Sequence, residues 1–193
     1  MKKKPIPYVS RGGLKLEHAL KEFKLDVKEK IVLDVGASTG GFTDCLLQHG
    51  AARSYTVDVG YGILDWKLRN DPRVVVLERT NIRGLTPEKL RAGSPNFAVI
   101  DVSFISLAKV FPAVYNLLAD KAEGLALIKP QFEARREQVP RGGVIREQAV
   151  RNEVIEKVKT AAAVSGFKVK GLTQSPIEGA EGNIEYLIWL GKE

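Results

Sequence analysis

The sequence lacks the features of an exported or membrane-bound protein. It has one cysteine, Cys45, which excludes an internal disulfide and is interpreted as a buried helix residue. No apolar run approaches the roughly 18 to 20 residues that a membrane-spanning helix needs. The amino terminus begins with lysines but has no apolar segment after them, unlike a secretory leader. We therefore expect a cytoplasmic protein with no membrane partner.

Positive charge exceeds negative charge, with 30 Lys and Arg residues against 23 Asp and Glu residues and a net charge of +7. This balance favours a polyanionic partner, although charge alone does not choose between nucleic acid and an anionic membrane surface. Residues 133–147 have the composition of a mobile loop and are rich in arginine around Gly142 and Gly143. The candidate RNA-binding residues are Arg11, Arg135, Arg136 and Arg141.

Short apolar runs alternate with helix-length segments along the chain. This pattern predicts one α/β domain, with a mostly parallel sheet covered by helices on both faces. Only residues 173–183 separate the last two predicted strands, too few for a parallel crossover, so these strands should be antiparallel neighbours. The predicted fold is Rossmann-like, with a seven-stranded sheet and one antiparallel strand. Strands are predicted at residues 31–35, 54–57, 74–77, 97–102, 124–128, 168–172 and 184–190, and helices at 12–23, 42–49, 107–118 and 147–165.

A glycine-rich turn follows the first strand and opens a helix, at residues 34–42. The turn has neither the ending of a phosphate loop nor the glycine spacing of a dinucleotide fold. Backbone amides at the helix start suit a carboxylate, and Asp34 suits an ammonium group. Asp58, after the next strand, suits the two hydroxyls of a ribose. S-adenosylmethionine carries all of these groups. The alternative is a tight turn in which Asp58 caps the following loop. The candidate cofactor-binding residues are Asp34, Gly36, Ala37, Ser38, Gly40, Gly41, Phe42, Asp58, Thr80, Asn81 and Asp101.

Charged residues converge on the predicted carboxyl edge of the sheet. Lys129 and Asp101 each follow a buried strand directly, which is where open α/β sheets bind ligands. Lys15 in the first helix and Glu185 at the last strand complete a candidate catalytic set, although each alone could be an ordinary surface or structural charge. Lys129 could act as a base or as an orienting cation for a hydroxyl nucleophile. No metal-ligand set is predicted.

Six segments together resemble the FtsJ-like ribose 2′-O-methyltransferases. The resemblance is closer to one branch of that family, the TlyA type, which is also called haemolysin A. They are residues 8–16, 34–44, 57–62, 101–105, 129–133 and 182–187. The resemblance implies a class I methyltransferase fold and a Lys-Asp-Lys-Glu tetrad at Lys15, Asp101, Lys129 and Glu185. It also implies a cytidine ribose of ribosomal RNA as substrate, with ribosomal RNA or ribosomal subunits as partners. Family members carry a small RNA-binding domain before the methyltransferase domain, so residues 1–9 are expected to be a linker remnant and residues 10–193 the methyltransferase domain.

Three other functions are compatible with parts of the sequence. The first is an RNA-binding protein that keeps the fold without activity, against which the intact tetrad argues. The second is a membrane-active haemolysin, which is disfavoured because no amphipathic or apolar segment of suitable length is present. The third is a nicotinamide oxidoreductase, which the glycine spacing disfavours.

Overall fold

A seven-stranded sheet lies at the centre of the structure, a computed structural model that describes residues 6–179 and 181–193. Its strands are β1 (Ile31–Val35), β2 (Arg53–Val57), β3 (Val74–Leu77), β4 (Phe97–Ile100), β5 (Glu123–Ile128), β6 (Lys168–Gln174) and β7 (Tyr186–Gly191). The order across the sheet is β3-β2-β1-β4-β5-β7-β6. β1 to β5 are parallel, and β7 is antiparallel to both of its neighbours, β5 and β6. The predicted mostly parallel sheet with one antiparallel strand is confirmed.

Six α-helices accompany the strands, counted over the described residues; α1 precedes β1 and the other five lie between strands. They are α1 (Gly12–Glu22), α2 (Gly41–Gln48), α3 (Trp66–Arg69), α4 (Phe111–Leu117), α5 (Pro130–Glu133) and α6 (Gln148–Val164). The helix predicted at residues 107–118 is divided. A 3-10 turn at Leu107–Lys109 precedes α4, which has Pro112 in its first turn, where the missing N–H costs no helical hydrogen bond. Cys45 is buried in α2, as expected.

The apolar core covers both faces of the sheet, because successive residues of a strand point to opposite sides. In β1, Leu33 packs in a cluster with Phe111 of α4 and Val158 of α6. Its neighbour Val32 packs in a second cluster with Leu16 of α1 and Leu46 of α2. Helices therefore cover both faces, which explains why the central strands are apolar without alternation.

The segment before α1 contacts the domain. Tyr8 is buried against the α1 and α2 side of the core, and Val9 N donates a hydrogen bond to Asp44 Oδ2 at 2.8 Å. A Cβ at Gly13 would lie 2.3 Å from the Tyr8 ring, so the absence of a side chain at Gly13 lets α1 pack closely against this segment. Residues 1–5 of the predicted linker lie outside the described residues.

None of the described helices is both long enough and apolar enough to cross a membrane.

Candidate active site

The strand topology brings the candidate catalytic residues to one edge. Asp101 and Lys129 follow the carboxyl ends of the parallel strands β4 and β5. β7 runs the opposite way and begins beside the end of β5, with Tyr186 paired to Ile128, so Glu185 lies at the same edge. Lys15 reaches this edge from α1. All four side chains line one cavity of about 570 Å³, here named the lysine cavity.

Lys129 is held by its neighbours after β4. Its Nζ lies 2.5 Å from Asp101 Oδ1 and donates a hydrogen bond to Ser103 Oγ at 2.9 Å. Pro130 starts α5 immediately after Lys129, which ends the strand at this point. Glu133 at the end of α5 accepts hydrogen bonds from Ser106 Oγ and Leu107 N, each at 2.6 Å. Contacts of Lys129 and of Glu133 therefore join the loop after β5 to the loop after β4 at two places.

Lys15 and Glu185 form a second ion pair in the same cavity. Both side chains are nearly inaccessible to solvent, at 11% and 3% exposure. Gly179 lies against the carboxyl group, because a Cβ at this position would be 2.5 Å from Glu185 Oε1. The tetrad is thus arranged as two lysine–carboxylate pairs that line one cavity.

A second cavity, of about 390 Å³, lies beside the first and is here named the Asp58 cavity. Asp58 accepts hydrogen bonds from Ser38 N at 2.8 Å and from Gly60 N at 2.7 Å, which fix the carboxylate and leave lone pairs on each oxygen. The predicted residues Thr80 and Asn81 also line it. Its other walls are mainly apolar, formed by Val35, Val57, Val59, Ile63, Ile82, Val102, Ile105 and Val110.

The two cavities meet at the glycine turn and the end of β4, through Gly36, Ser38, Asp101, Ser103 and Phe104. Gly36 has φ +82°, and a Cβ there would lie 2.4 Å from the Asp101 carbonyl oxygen. Glycine is therefore required at this position by the close approach of β1 to β4, independently of any ligand. Ala37, Gly41, Phe42 and Arg11 line the lysine cavity only.

Two predicted cofactor residues line neither cavity. Asp34 is fully buried and accepts a hydrogen bond from Thr43 Oγ1 at 2.6 Å, while its Oδ1 has no partner among the described residues. Burial, together with the nearby Asp101 and Asp58 carboxylates, raises the pKa of Asp34 to about 7. Gly40 contacts Leu64 and Leu68. A direct contact of either residue with a cofactor stays a prediction.

Sequence reasoning missed several residues of the site, among them Ser103, Phe104 and Phe132. Phe104 is 90% exposed and has φ +63°, which is rare for a side chain of this size. Its ring centroid lies 4.9 Å from that of Phe132, and both rings line the lysine cavity. These residues lie in bends and in a single-turn helix, where no periodic pattern identifies them. The available signal was an aromatic residue three positions after the strand-ending Asp101.

The candidate RNA-binding arginines occupy different surroundings. Arg11 lines the lysine cavity, whereas Arg135 forms an ion pair with Glu153 at 3.2 Å. Arg136 and Arg141 are exposed and have no ion pair within residues 6–179 and 181–193.

Asn183 attaches the arginine-rich loop to the segment before Glu185. Its Oδ1 accepts from Ile145 N at 2.9 Å, and its Nδ2 donates to Gly143 O at 2.8 Å. Gly143 itself lines the lysine cavity, so the loop forms part of the cavity wall. No group of three or more His, Cys, Asp or Glu side chains in the described parts of the chain is placed to hold a metal ion.

Known proteins are similar to this chain over nearly its whole length, which includes both cavities. The model of the FtsJ-like methyltransferase family matches residues 8–192. YqxC of Bacillus subtilis (strain 168) is 55% identical over 190 residues, which are 98% of this chain and 68% of that protein. The 16S/23S rRNA (cytidine-2′-O)-methyltransferase TlyA of Mycobacterium tuberculosis is 49% identical over 183 residues, 95% of this chain and 68% of that protein. A solved structure from Streptococcus thermophilus matches with a TM-score of 0.96 at 52% identity. The match covers 99% of this chain and 69% of the Streptococcus thermophilus chain.

Proposed function

Because the chain belongs to the FtsJ-like methyltransferase family, we propose that it transfers a methyl group from S-adenosylmethionine to a ribose 2′-hydroxyl of ribosomal RNA. The family predicted from the sequence motifs is thereby confirmed. The observation that carries the proposal is the convergence of Lys15, Asp101, Lys129 and Glu185 in one cavity that adjoins the Asp58 cavity. One cavity offers charged groups for a hydroxyl, and the other offers a carboxylate between apolar walls for an adenosine.

The residues present fit S-adenosylmethionine. Asp58 would accept hydrogen bonds from the ribose hydroxyls, with its carboxylate already fixed by Ser38 N and Gly60 N. The apolar walls suit an adenine ring, and the backbone from Gly36 to Phe42 leads from this cavity into the lysine cavity. S-adenosylmethionine, when bound, supplies an electrophilic methyl group on a positively charged sulfur.

Lys129 is proposed to orient the attacking hydroxyl. An ammonium group has three N–H donors. Ser103 Oγ accepts from one of them and the Asp101 carboxylate lies beside the group as an ion pair, which leaves a further N–H available to an oxygen in the cavity. Because the Lys129 amine lies beside the Asp101 carboxylate as an ion pair, we assign Lys129 as the cation that stabilises negative charge developing on the hydroxyl oxygen. Of the two roles considered for Lys129, base and orienting cation, the proposal takes the cation.

Lys15, Glu185 and Phe104 are proposed to hold the nucleotide. The Lys15–Glu185 pair supplies a fixed donor and acceptor in the same cavity as Lys129, and neither buried charge is left unpaired. Phe104 stands exposed at the junction of the two cavities, where its ring offers a stacking surface for the base of the target nucleotide. Together they would place the 2′-hydroxyl between Lys129 and the methyl group.

Cytidine in ribosomal RNA is the proposed target, supported by the activity named for the Mycobacterium tuberculosis relative. The net charge of +7 and the exposed Arg136 and Arg141 support a polyanionic partner of this kind. Residues 10–193 are proposed to act as the methyltransferase domain, in the cytoplasm, where ribosomal RNA is found.

The experiment that tests this function is transfer of a tritiated methyl group from S-adenosylmethionine to isolated ribosomal subunits. We expect Lys129→Ala to lower the transfer rate by roughly 100-fold or more, because the cation beside the developing oxyanion is lost. Calorimetry should show unchanged S-adenosylmethionine affinity, since Lys129 does not line the Asp58 cavity. Lys159→Ala, at a lysine of α6 that pairs only with Glu156, is the matched control and should be neutral.

Two results would overturn the proposal. Unchanged transfer by the Lys129→Ala protein would remove Lys129 from the reaction. Absence of transfer by the unaltered chain, with RNA binding intact, would favour the alternative of an RNA-binding protein that keeps only the fold.

A further inference from the structure

Aromatic side chains are exposed on the loop between β2 and α3 and at the first residue of α3, beside the Asp58 cavity. Tyr61 is 67% exposed and Trp66 is 78% exposed. Val59 and Ile63 of the same loop are also exposed, but they line the Asp58 cavity and would be covered by an adenosine there. Tyr61 and Trp66 line neither this cavity nor the lysine cavity. A bound cofactor therefore does not account for the two aromatic rings.

The loop is anchored so that these rings face outward. Leu64 and Leu68 on either side of Trp66 are buried, and a Cβ at Gly40 would lie within 2.8 Å of both side chains. Asp65 caps α3 by accepting from Lys67 N at 2.9 Å, and its own N–H donates to Thr39 O at 3.2 Å. Trp66, the first residue of α3, thus lies between two buried leucines in the sequence, and its indole is in solvent. The buried leucines fix the backbone here, so the folded protein keeps Trp66 exposed.

Tyr61 is accompanied by a cation. The Arg79 guanidinium carbon lies 4.2 Å from the centroid of the Tyr61 ring, and Arg79 N donates to Gly60 O at 3.0 Å. The nearby Glu78 is already paired with Arg69 and accepts from Gly62 N at 2.9 Å. Arg79 has no carboxylate partner within the described residues, so its charge remains available to a ligand.

We infer that Tyr61, Trp66 and Arg79, here named the aromatic surface, bind ribosomal RNA nucleotides that flank the methylated ribose. The inference rests on the proposed function, because it takes RNA as the substrate. Aromatic rings with an adjacent guanidinium suit unpaired bases and a phosphate, since bases stack on aromatic faces without regard to sequence. An anionic strand is also the partner that an unpaired arginine on a chain of net charge +7 attracts.

The position of the aromatic surface fits one continuous RNA path. The Asp58 cavity is lined on one side by Ile63 of this loop and on the other by Ser103 and Phe104, which also line the lysine cavity. A strand with its target ribose at Lys129 that continues across the mouth of the Asp58 cavity would pass Ile63 and lead towards Tyr61 and Trp66 of the neighbouring segment. The RNA would then contact the protein on both sides of the cofactor.

Fluorescence gives a direct test, because the chain has two tryptophans. Trp189 is half-buried and stacks on Phe23 with ring centroids 5.5 Å apart, so Trp189→Phe leaves Trp66 as the single reporter. We expect protein-free ribosomal RNA that contains the methylated site to quench this reporter, at the RNA concentration that gives half-maximal binding by anisotropy. The Trp66→Phe protein, which retains Trp189, should show no such quenching.

Affinity provides the second readout. Trp66→Ala and Tyr61→Ala should each weaken RNA binding roughly 5- to 100-fold, the range for loss of one stacked base. S-adenosylmethionine affinity should be unchanged, which also shows that the variants are folded. The matched control is Val164→Ala, because Val164 is 84% exposed at the end of α6, which leads to the start of β6 at the opposite edge of the sheet.

The outcomes separate this inference from the proposed function. RNA binding at unaltered affinity by both variants, with no quenching of Trp66, overturns the inference while methyl transfer by the unaltered chain stands. Quenching by intact ribosomal subunits but not by protein-free RNA also overturns it and assigns the aromatic surface to a protein partner. Quenching by RNA without methyl transfer supports the aromatic surface and contradicts the proposed function.

Discussion

Asp34 shows how burial changes the chemistry of a single residue. Its carboxyl group is fully buried, and only one of its oxygens has a hydrogen-bond partner among the described residues. With a pKa of about 7 in the folded protein against an ordinary 3.8, the folded state binds one more proton than the unfolded state between these values. Folding stability from this residue is therefore present at acid pH and is lost as the pH rises towards 7.

We predict that Asp34→Asn removes this pH dependence. Between about pH 4 and pH 7, the unfolding free energy of the unaltered chain should fall by up to roughly 1.4 kcal/mol per pH unit relative to the variant, because burial disfavours ionised Asp34 only in the folded state. Urea denaturation of both proteins at several pH values measures the difference. A constant difference across this range would show that Asp34 is ionised throughout.

At the scale of elements, the turn before β7 determines where Glu185 lies. Gly179 N donates to Asn183 O at 2.9 Å, and Asn183 attaches the same turn to the arginine-rich loop. Gly179 has an ordinary φ, so alanine is compatible with its backbone but not with the 2.5 Å approach to Glu185. The buried carboxylate cannot move away without disturbing its pair with Lys15.

We therefore predict that Gly179→Ala lowers kcat roughly 10- to 100-fold, because it displaces one ion pair of the cavity. KM for RNA and affinity for S-adenosylmethionine should change little, since neither the aromatic surface nor the Asp58 cavity is altered. Gly84→Ala is the control, because a Cβ at Gly84 meets no atom within 4 Å and its φ is not positive. Equal kcat values for the two variants would show that the position of Glu185 does not matter.

The strands were predictable from sequence because each is a short apolar run between turn residues, as β1 and β5 illustrate. The edge shared by Asp101, Lys129 and Glu185 followed from strand direction alone. Their pairing did not, because it depends on how α1 packs and on which lysine each carboxylate meets. Phe104 and Trp66 were missed because a single outward side chain leaves no periodic signal in the sequence. The sequence could not show that Asp34 is buried, because burial depends on the tertiary packing, so Asp34 was expected to contact the ligand.

At the scale of the whole molecule, the chain carries a net charge of +7, but its arginines are not equally available to a partner. Arg135 shares its charge with Glu153 and Glu137, whereas Arg136 and Arg141 have no such partner in the described residues. An arginine that is already paired with a carboxylate has less charge to offer a phosphate, so the unpaired arginines should contribute more to counterion release when RNA binds. The structure therefore separates three arginines that the sequence grouped together.

We predict that Arg136→Glu and Arg141→Glu each weaken RNA binding and reduce its salt dependence, by roughly one phosphate contact per residue. Arg135→Glu should have a smaller effect, because its charge is partly neutralised. Filter binding between about 50 and 200 mM salt gives the slopes. Arg91→Glu serves as the control, since this exposed arginine precedes β4 at the opposite edge of the sheet; an equal loss there would indicate a general effect of charge.

The central claim is that the methyl group is placed on a ribose, and nucleoside mass spectrometry tests it most directly. Ribosomal RNA would be incubated with the unaltered chain and isotopically labelled S-adenosylmethionine, then digested to nucleosides and fragmented. The account predicts that the label is found on the ribose fragment of a cytidine, and that it is absent with the Lys129→Ala protein. Label on the base fragment, or label at the same level with Lys129→Ala, would contradict the account.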